Sequence, residues 1–187
     1  MIDVFLAAVL ASGSTVVSTA CPAVEEFRND HLLDVCDPIL EGGKVYSVSY
    51  QASLTPPPAA QQVALYELDG QWFIWVAGYE WERGTSLVTT RRNDIAISKD
   101  DAKSLILFFD DARLERLSQA SYYGDPLVLC TDGARTEIVI ASEGMTRSFA
   151  RHSCAGKSEL NEIAAAFRKM ALKYDAGFEG LLTGLRN

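Results

Sequence analysis

Six aromatic residues fall between positions 66 and 81: Tyr66, Trp72, Phe73, Trp75, Tyr79 and Trp81, with Glu80 and Glu82 interleaved or adjoining. A tryptophan turned outward beside carboxylates can stack on a sugar ring or grip an apolar ligand. Trp72, Trp75, Tyr79, Trp81, Glu80 and Glu82 are therefore the candidate ligand-binding set. Trp72 and Trp75 have opposite parity, so an ideal strand cannot bury both on one face. The competing expectation is that one aromatic set fills the core while the other lies under the Pro56 to Pro58 segment or a loop. Glu80 and Glu82 would share one strand face with α-carbons roughly 6–7 Å apart, the nominal acid and base of glycoside hydrolysis. Acidic residues at that spacing are common on solvated strands, so hydrolysis of cell-wall sugar stands as the alternative to binding.

Other chemistry is sparse. Neighbouring helical residues diverge by about 100°, so Asp110-Asp111 cannot converge on one ligand, and Arg113 and Glu115 beside them fit a salt-bridged outer face. His31 and His152 are the only histidines. The chain contains no His-Glu-x-x-His and no Gly-x-Ser-x-Gly, and Gly42-Gly43 reads as a turn. No metal and no cofactor is expected. His152 near Cys154 could form a Cys–His couple, but a bridged Cys154 cannot be a nucleophile. A plain strand-end histidine is the expectation.

The four cysteines, Cys21, Cys36, Cys130 and Cys154, permit three pairings. The pairing that respects locality joins Cys21 to Cys36 and Cys130 to Cys154. No Cys-x-x-Cys occurs, and the spacings fit neither a zinc ribbon nor a thioredoxin-type centre. A bridge closing a loop of about 25 residues stabilises by roughly 3 to 4 kcal/mol, less any strain. That is a large share of the ~5–15 kcal/mol holding an ordinary domain together.

Disulfides imply an oxidising compartment, and the amino terminus agrees. Val4 to Leu10 is an apolar run that continues weakly to Val17, too short to span a bilayer. Ser18-Thr19-Ala20 puts small residues at −3 and −1 of a cut before Cys21; a cut after Ala11 is the alternative. The departure from an export signal is Asp3 and the lack of Lys or Arg before the run. A buried first strand or helix is the competing reading. Small residues before Cys21 loosely resemble the lipobox of bacterial lipoproteins, but Ser18 stands where that motif has Leu. Lipidating Cys21 would also leave an odd number of thiols, so no lipid anchor is expected.

The net charge of −8 argues against nucleic acid or an anionic membrane surface as partner. At 187 residues, nearly half hydrophobic, the chain can bury one substantial core. Residues 1–20 read as the export signal and 21–187 as a single domain, with sub-modules 40–120 and 126–176 as a finer division.

The positioning elements follow from periodicity. Val24 to Cys36 could be a short helix ended by Asp37-Pro38. Lys44 to Ala52 alternates as a half-exposed strand, with Tyr46, Val48 and Tyr50 on one face. Val63 to Leu68, Asp69-Gly70 and Gln71 to Gly78 form the strongest hairpin signal. Ser86 to Thr90 and Asp94 to Ile97 are expected strands around an Arg91-Arg92-Asn93 turn. Ser98 with Asp101 opens a helix whose buried stripe would be Ala102, Leu105, Ile106, Phe109, Ala112 and Leu117. Leu127 to Thr131, Thr136 to Ala141 and Met145 to His152 are three further strands, turned by Asp132-Gly133 and Glu143-Gly144. The second should be covered on both faces and the third should lie near an edge. Ser158 then caps a helix with Glu159 and Glu162 in its first turn. Leu160, Ile163, Ala164, Phe167, Met170, Ala171 and Tyr174 form its apolar stripe, and Gly177 is its expected stop.

Asp132-Gly133 after Cys130, a glycine-bearing hairpin turn, Arg151-His152-Ser153-Cys154 and a closing amphipathic helix resemble the C-terminal part of small exported bacterial proteins of unassigned function. The resemblance covers about 50 of the 187 residues. It implies export to the periplasm and carries over no catalytic residue. The fold class expected is α+β: antiparallel sheet with two amphipathic helices packed on it, stapled by disulfides. The expected function is a non-enzymatic envelope component, periplasmic or secreted, that binds a small ligand or another protein.

Overall fold

The computed structural model describes residues 43–52, 60–81, 88–120, 133–142 and 145–185. The expected export signal, Cys21, Cys36, Cys130, the Val24–Cys36 segment, Pro56 to Pro58, Glu82, Ser86 and the Leu127–Thr131 strand lie outside the described residues, as do the side chains of Tyr79, Glu80 and Trp81. The described strands are β1 (Val45–Ala52), β2 (Ala60–Leu68), β3 (Gln71–Trp81), β4 (Val88–Ile97), β5 (Ala134–Ser142) and β6 (Met145–His152). The helices are α1 (Lys99–Ile106), α2 (Asp111–Gln119) and α3 (Glu159–Tyr174). The strands form one antiparallel sheet in the order β4-β3-β2-β1-β5-β6. The α+β class expected from periodicity is thus the class observed.

The β2–β3 hairpin forms at Asp69-Gly70 because both residues take positive φ, 52° and 78°, matching the twist of the flanking strands. Leu68 pairs with Gln71 across it. Strand β4 departs from expectation: it runs unbroken through Arg91, Arg92 and Asn93, which pair with Gly78, Ala77 and Val76. Ladder hydrogen bonds to β3 outweigh the local turn tendency of those three polar residues. Strand β1 lies inside the sheet and is half-exposed as expected, with Gln51 open and Ser49 partly so, but its polar face is closed at one point. Ser47, on the face opposite Val48, is 2% exposed, and its hydroxyl accepts from Gln62 Nε2 at 2.8 Å. Strand β6 is an edge, as its mixed parity implied.

The core lies between one sheet face and the helices. Val48, Val63, Leu65, Ile74, Val76, Ile138 and Phe149 meet Leu105, Leu114, Leu117, Leu160, Ile163 and Phe167 there. Helix α3 lies across β1, β2, β3 and β5. Its cap is a reciprocal box: Ser158 N–H donates to Asn161 Oδ1 at 2.9 Å, and Asn161 N–H bonds back to Ser158. The expected stripe holds, with Leu160, Ile163, Ala164, Phe167 and Ala171 buried and Met170 and Tyr174 partly so. The helix stops at Asp175, one turn-start before Gly177, which lies in a 3-10 turn at Ala176–Phe178.

The single helix expected from Ser98 onward is two. A 3-10 turn at Leu107–Phe109 ends α1, and Asp110 becomes an N-cap whose Oδ1 accepts from Arg113 N–H at 2.9 Å. A side chain able to satisfy an orphan helix donor restarts the helix in a new direction. The new phase exposes Ala112, expected inside, and buries Leu114 instead. Arg113 and Arg116 reach Glu159 of α3, so this face is joined to its neighbour and not simply solvated.

A second clasp ties α1 to α3. Ser98 Oγ accepts from Asp101 N–H at 3.1 Å, and the Asp101 carboxylate accepts from Lys173 Nζ at 2.7 Å and from the Tyr174 hydroxyl. These donors, Lys173 first, hold the Asp101 carboxyl below its ordinary value of 3.8. A folded pKa below the unfolded one stabilises above the ordinary carboxylate range and ceases to do so as pH falls through the folded value. The clasp is solvent-screened, so its effect is modest. Asp101→Asn should therefore melt earlier than the parent near neutral pH, the two converging as pH falls below the ordinary carboxylate range. A melting gap that stays constant across that range would contradict the assignment.

Candidate functional site

Strand parity separates the aromatic set. Trp72 packs in the helix-side core at 7% exposure, so its ring is not an outer platform. Trp75 lies on the opposite face, half-buried, with Leu68 and Phe73 around Val45, Tyr66 and Ala141. Tyr66 stacks on Phe73 with ring centroids 5.3 Å apart, and its hydroxyl donates to Asp94 Oδ1 at 2.8 Å. Burial and that carboxylate hold the Tyr66 proton firmly, raising its pKa far above the usual phenol value. The backbone of Tyr79, Glu80 and Trp81 pairs with Thr90, Thr89 and Val88. The described residues thus bring Trp72 and Trp75 to opposite faces and not to one concavity.

A concavity exists elsewhere. A cavity of about 250 Å³ opens where β1, β5 and β6 meet the start of α3 and the last turn of the described chain. Its floor is a cross-strand row: Tyr50 pairs with Thr136, and Thr136 with Arg151. His152, Ser153, Lys157, Asn161 and Gly184 complete the polar wall, with Leu160 as the apolar one. Among the described residues no carboxylate lines it. Drug-sized pockets run to ~300–1,000 Å³, and a water takes ~30 Å³. The space suits a small molecule.

Each wall residue is held by local structure. Arg151 Nη2 donates to Ala155 O at 3.1 Å, while its Nε is buried without a hydrogen-bond partner among the described residues. His152 Nδ1 accepts from Cys154 N–H at 3.3 Å. In the neutral ring that places the proton on Nε2. Ser153 Oγ accepts from Ala134 N–H at 3.1 Å. Gly133 is required beside them: it takes φ +152°, and a Cβ there would come within 2.5 Å of His152 Cε1 and 2.6 Å of Ser153 Oγ. The turn glycine read from sequence therefore also admits the histidine. Cys154, in a 3-10 turn at Ser153–Ala155, is not a free thiol. Burial raises the Tyr50 phenol pKa, so the hydroxyl keeps its proton.

The last wall comes from a segment that periodicity did not single out. After α3 the chain buries Phe178, Leu181, Leu182 and Leu185 against the sheet. Arg168 Nε donates to Leu182 O at 3.0 Å, and Gly184 N–H donates to the buried Gln61 Oε1 at 2.9 Å. Gly184 thereby rests on the Tyr50 ring. The signal for this site was Arg151-His152 and Lys157 clustered just ahead of the Ser158 cap. No group of metal-ligating side chains occurs among the described residues, and none of their helices is long and apolar enough to cross a membrane. Comparison with family models, curated proteins and solved structures finds no match.

Proposed function

We propose that this chain is an exported, periplasmic or secreted, non-enzymatic protein that holds a small ligand in the cavity between β6, α3 and the carboxy-terminal turn. The single observation that carries it is the cavity itself: about 250 Å³, walled by the side chains of Arg151, His152, Ser153, Lys157 and Asn161. None of the described lining residues carries a carboxylate, so the acid–base pair of glycoside hydrolysis has no counterpart there.

The apolar run before Cys21 supports export, and so does the resemblance of the C-terminal hairpin and helix to small exported proteins. A thiol at Cys154 that is not free supports a Cys130–Cys154 bridge that would fasten the β6 end beside the cavity. The remaining pair, Cys21 and Cys36, would then join locally. Native mass spectrometry of the protein purified from its own cell envelope tests all of this at once. The expected spectrum shows a mature chain lacking residues 1–20, four oxidised cysteines and a small-molecule adduct. The adduct should disappear in Thr136→Trp, which fills the cavity. An adduct-free wild-type chain after exposure to envelope extract, or one equally retained by the variant, would overturn the reading.

A further inference from the structure

We infer that the ligand is a small oxyanion, a carboxylate or a phosphate ester, with Arg151 as its anchoring cation and Lys157 as the second; the inference rests on the binding role proposed above. The wall carries two cationic side chains, and several of its acceptors are already engaged. Asn161 Oδ1 already accepts from Ser158 N–H at 2.9 Å and from Ser158 Oγ at 3.0 Å, which leaves the amide hydrogens. His152 Nδ1 and Ser153 Oγ are likewise occupied as acceptors, by Cys154 N–H and Ala134 N–H. Lys157 makes no ion pair among the described residues. Arg151 is held at one nitrogen by Ala155 O and is unsatisfied at Nε.

A ligand that answers this wall offers acceptors and negative charge. A cation would face two positive side chains and, among the described residues, no carboxylate. The nearest first-turn acid of α3, Glu159, is turned to Arg113 and Arg116 and does not line the cavity. The start of a 16-residue helix adds positive potential on the same side. A chain with net charge −8 repels a long polyanion, so a positive cavity within it selects small anions over nucleic acid.

Isothermal titration of the full disulfide-bonded chain with inorganic phosphate, acetate and glucose tests this. Saturable binding of phosphate alone would identify a phosphate ester as the natural ligand class; binding of acetate, alone or with phosphate, would identify a carboxylate. Arg151→Gln should weaken binding at least tenfold, about 1.4 kcal/mol, and Lys157→Gln by about threefold. Should Arg151→Gln fail to fold, Lys157→Glu decides: the position is exposed, the melt should not change, and anion binding should vanish. Unchanged anion affinity in Lys157→Glu, or no anion binding by the wild type, overturns the inference. An envelope-derived neutral adduct in the mass spectrum alongside that failure would leave the binding role standing and remove only the oxyanion.

Discussion

Phe167→Ala should lower the unfolding free energy by about 3–5 kcal/mol, the largest loss expected from one side chain here. Phe167 is fully buried in the middle of α3. Its ring meets Phe109 edge to face at 5.8 Å, and Phe109 in turn lies 4.8 Å from Tyr46 of β1. One residue thus joins α3, the break between α1 and α2, and the central strand. Truncation loses the transfer energy of the ring and leaves a cavity that three separately anchored elements cannot easily close. Against a total of ~5–15 kcal/mol, the variant should be marginal at 37 °C. Urea unfolding reads the effect as a lower midpoint at unchanged slope. A loss under about 1 kcal/mol would show that α3 is not the keystone of the core.

Gly184→Val should cost about 2–4 kcal/mol, as overpacking strain plus a weakened hydrogen bond. A Cβ at this position would lie 2.3 Å from Tyr50 Cδ1, far inside contact distance. Either Tyr50 moves, deforming the cavity floor, or the carboxy-terminal turn lifts and loses its bond to Gln61. Both outcomes loosen the burial of Leu182 and Leu185, each worth ~1.5–3 kcal/mol when fully buried. The two sites are in contact, so their effects should not add. Tyr50→Leu, which removes the offending ring edge, should recover part of the loss when combined with Gly184→Val. Equal and additive losses in the double-mutant cycle would mean that the Tyr50–Gly184 contact does not close this side of the cavity.

What local sequence could reveal was whatever local chemistry decides. Asp69-Gly70 names its turn because two consecutive positive φ values suit few other residue pairs. Ser158 and the 3.6-residue stripe behind it name α3 for the same reason, the cap and the buried face both lying within one segment. Where tertiary pairing competes with local tendency, the local signal fails. Arg91-Arg92-Asn93 looks like a turn but is drawn straight by β3, and Asp110 looks like a surface acid but restarts a helix. The apolar residues from Phe178 to Leu185 carry no long periodicity, so only the sheet they cover explains them.

The candidate site divides the same way. Arg151, His152, Ser153, Lys157 and Asn161 lie within eleven positions of one another, and their charge was visible beside the helix cap. Tyr50, Thr136 and Gly184 arrive from β1, β5 and the chain's last turn, and no spacing rule joins them. The aromatic run from Trp72 to Trp81 attracted attention by type alone. Strand alternation then sent Trp72 inward and Trp75 to the other face, which residue type could not reveal.

The central claim is that ligand chemistry resides at Arg151 and Lys157, on the helix side of the sheet, and not on the aromatic face. A 15N-resolved NMR titration of the wild-type chain with inorganic phosphate and with acetate tests it most directly. Saturable shifts at the Arg151 Nε–H and at backbone amides from Ser153 to Asn161, with Phe73 and Trp75 still, are the predicted result. Shifts centred on Phe73 and Trp75, or none at Arg151 Nε–H with either anion, would contradict it.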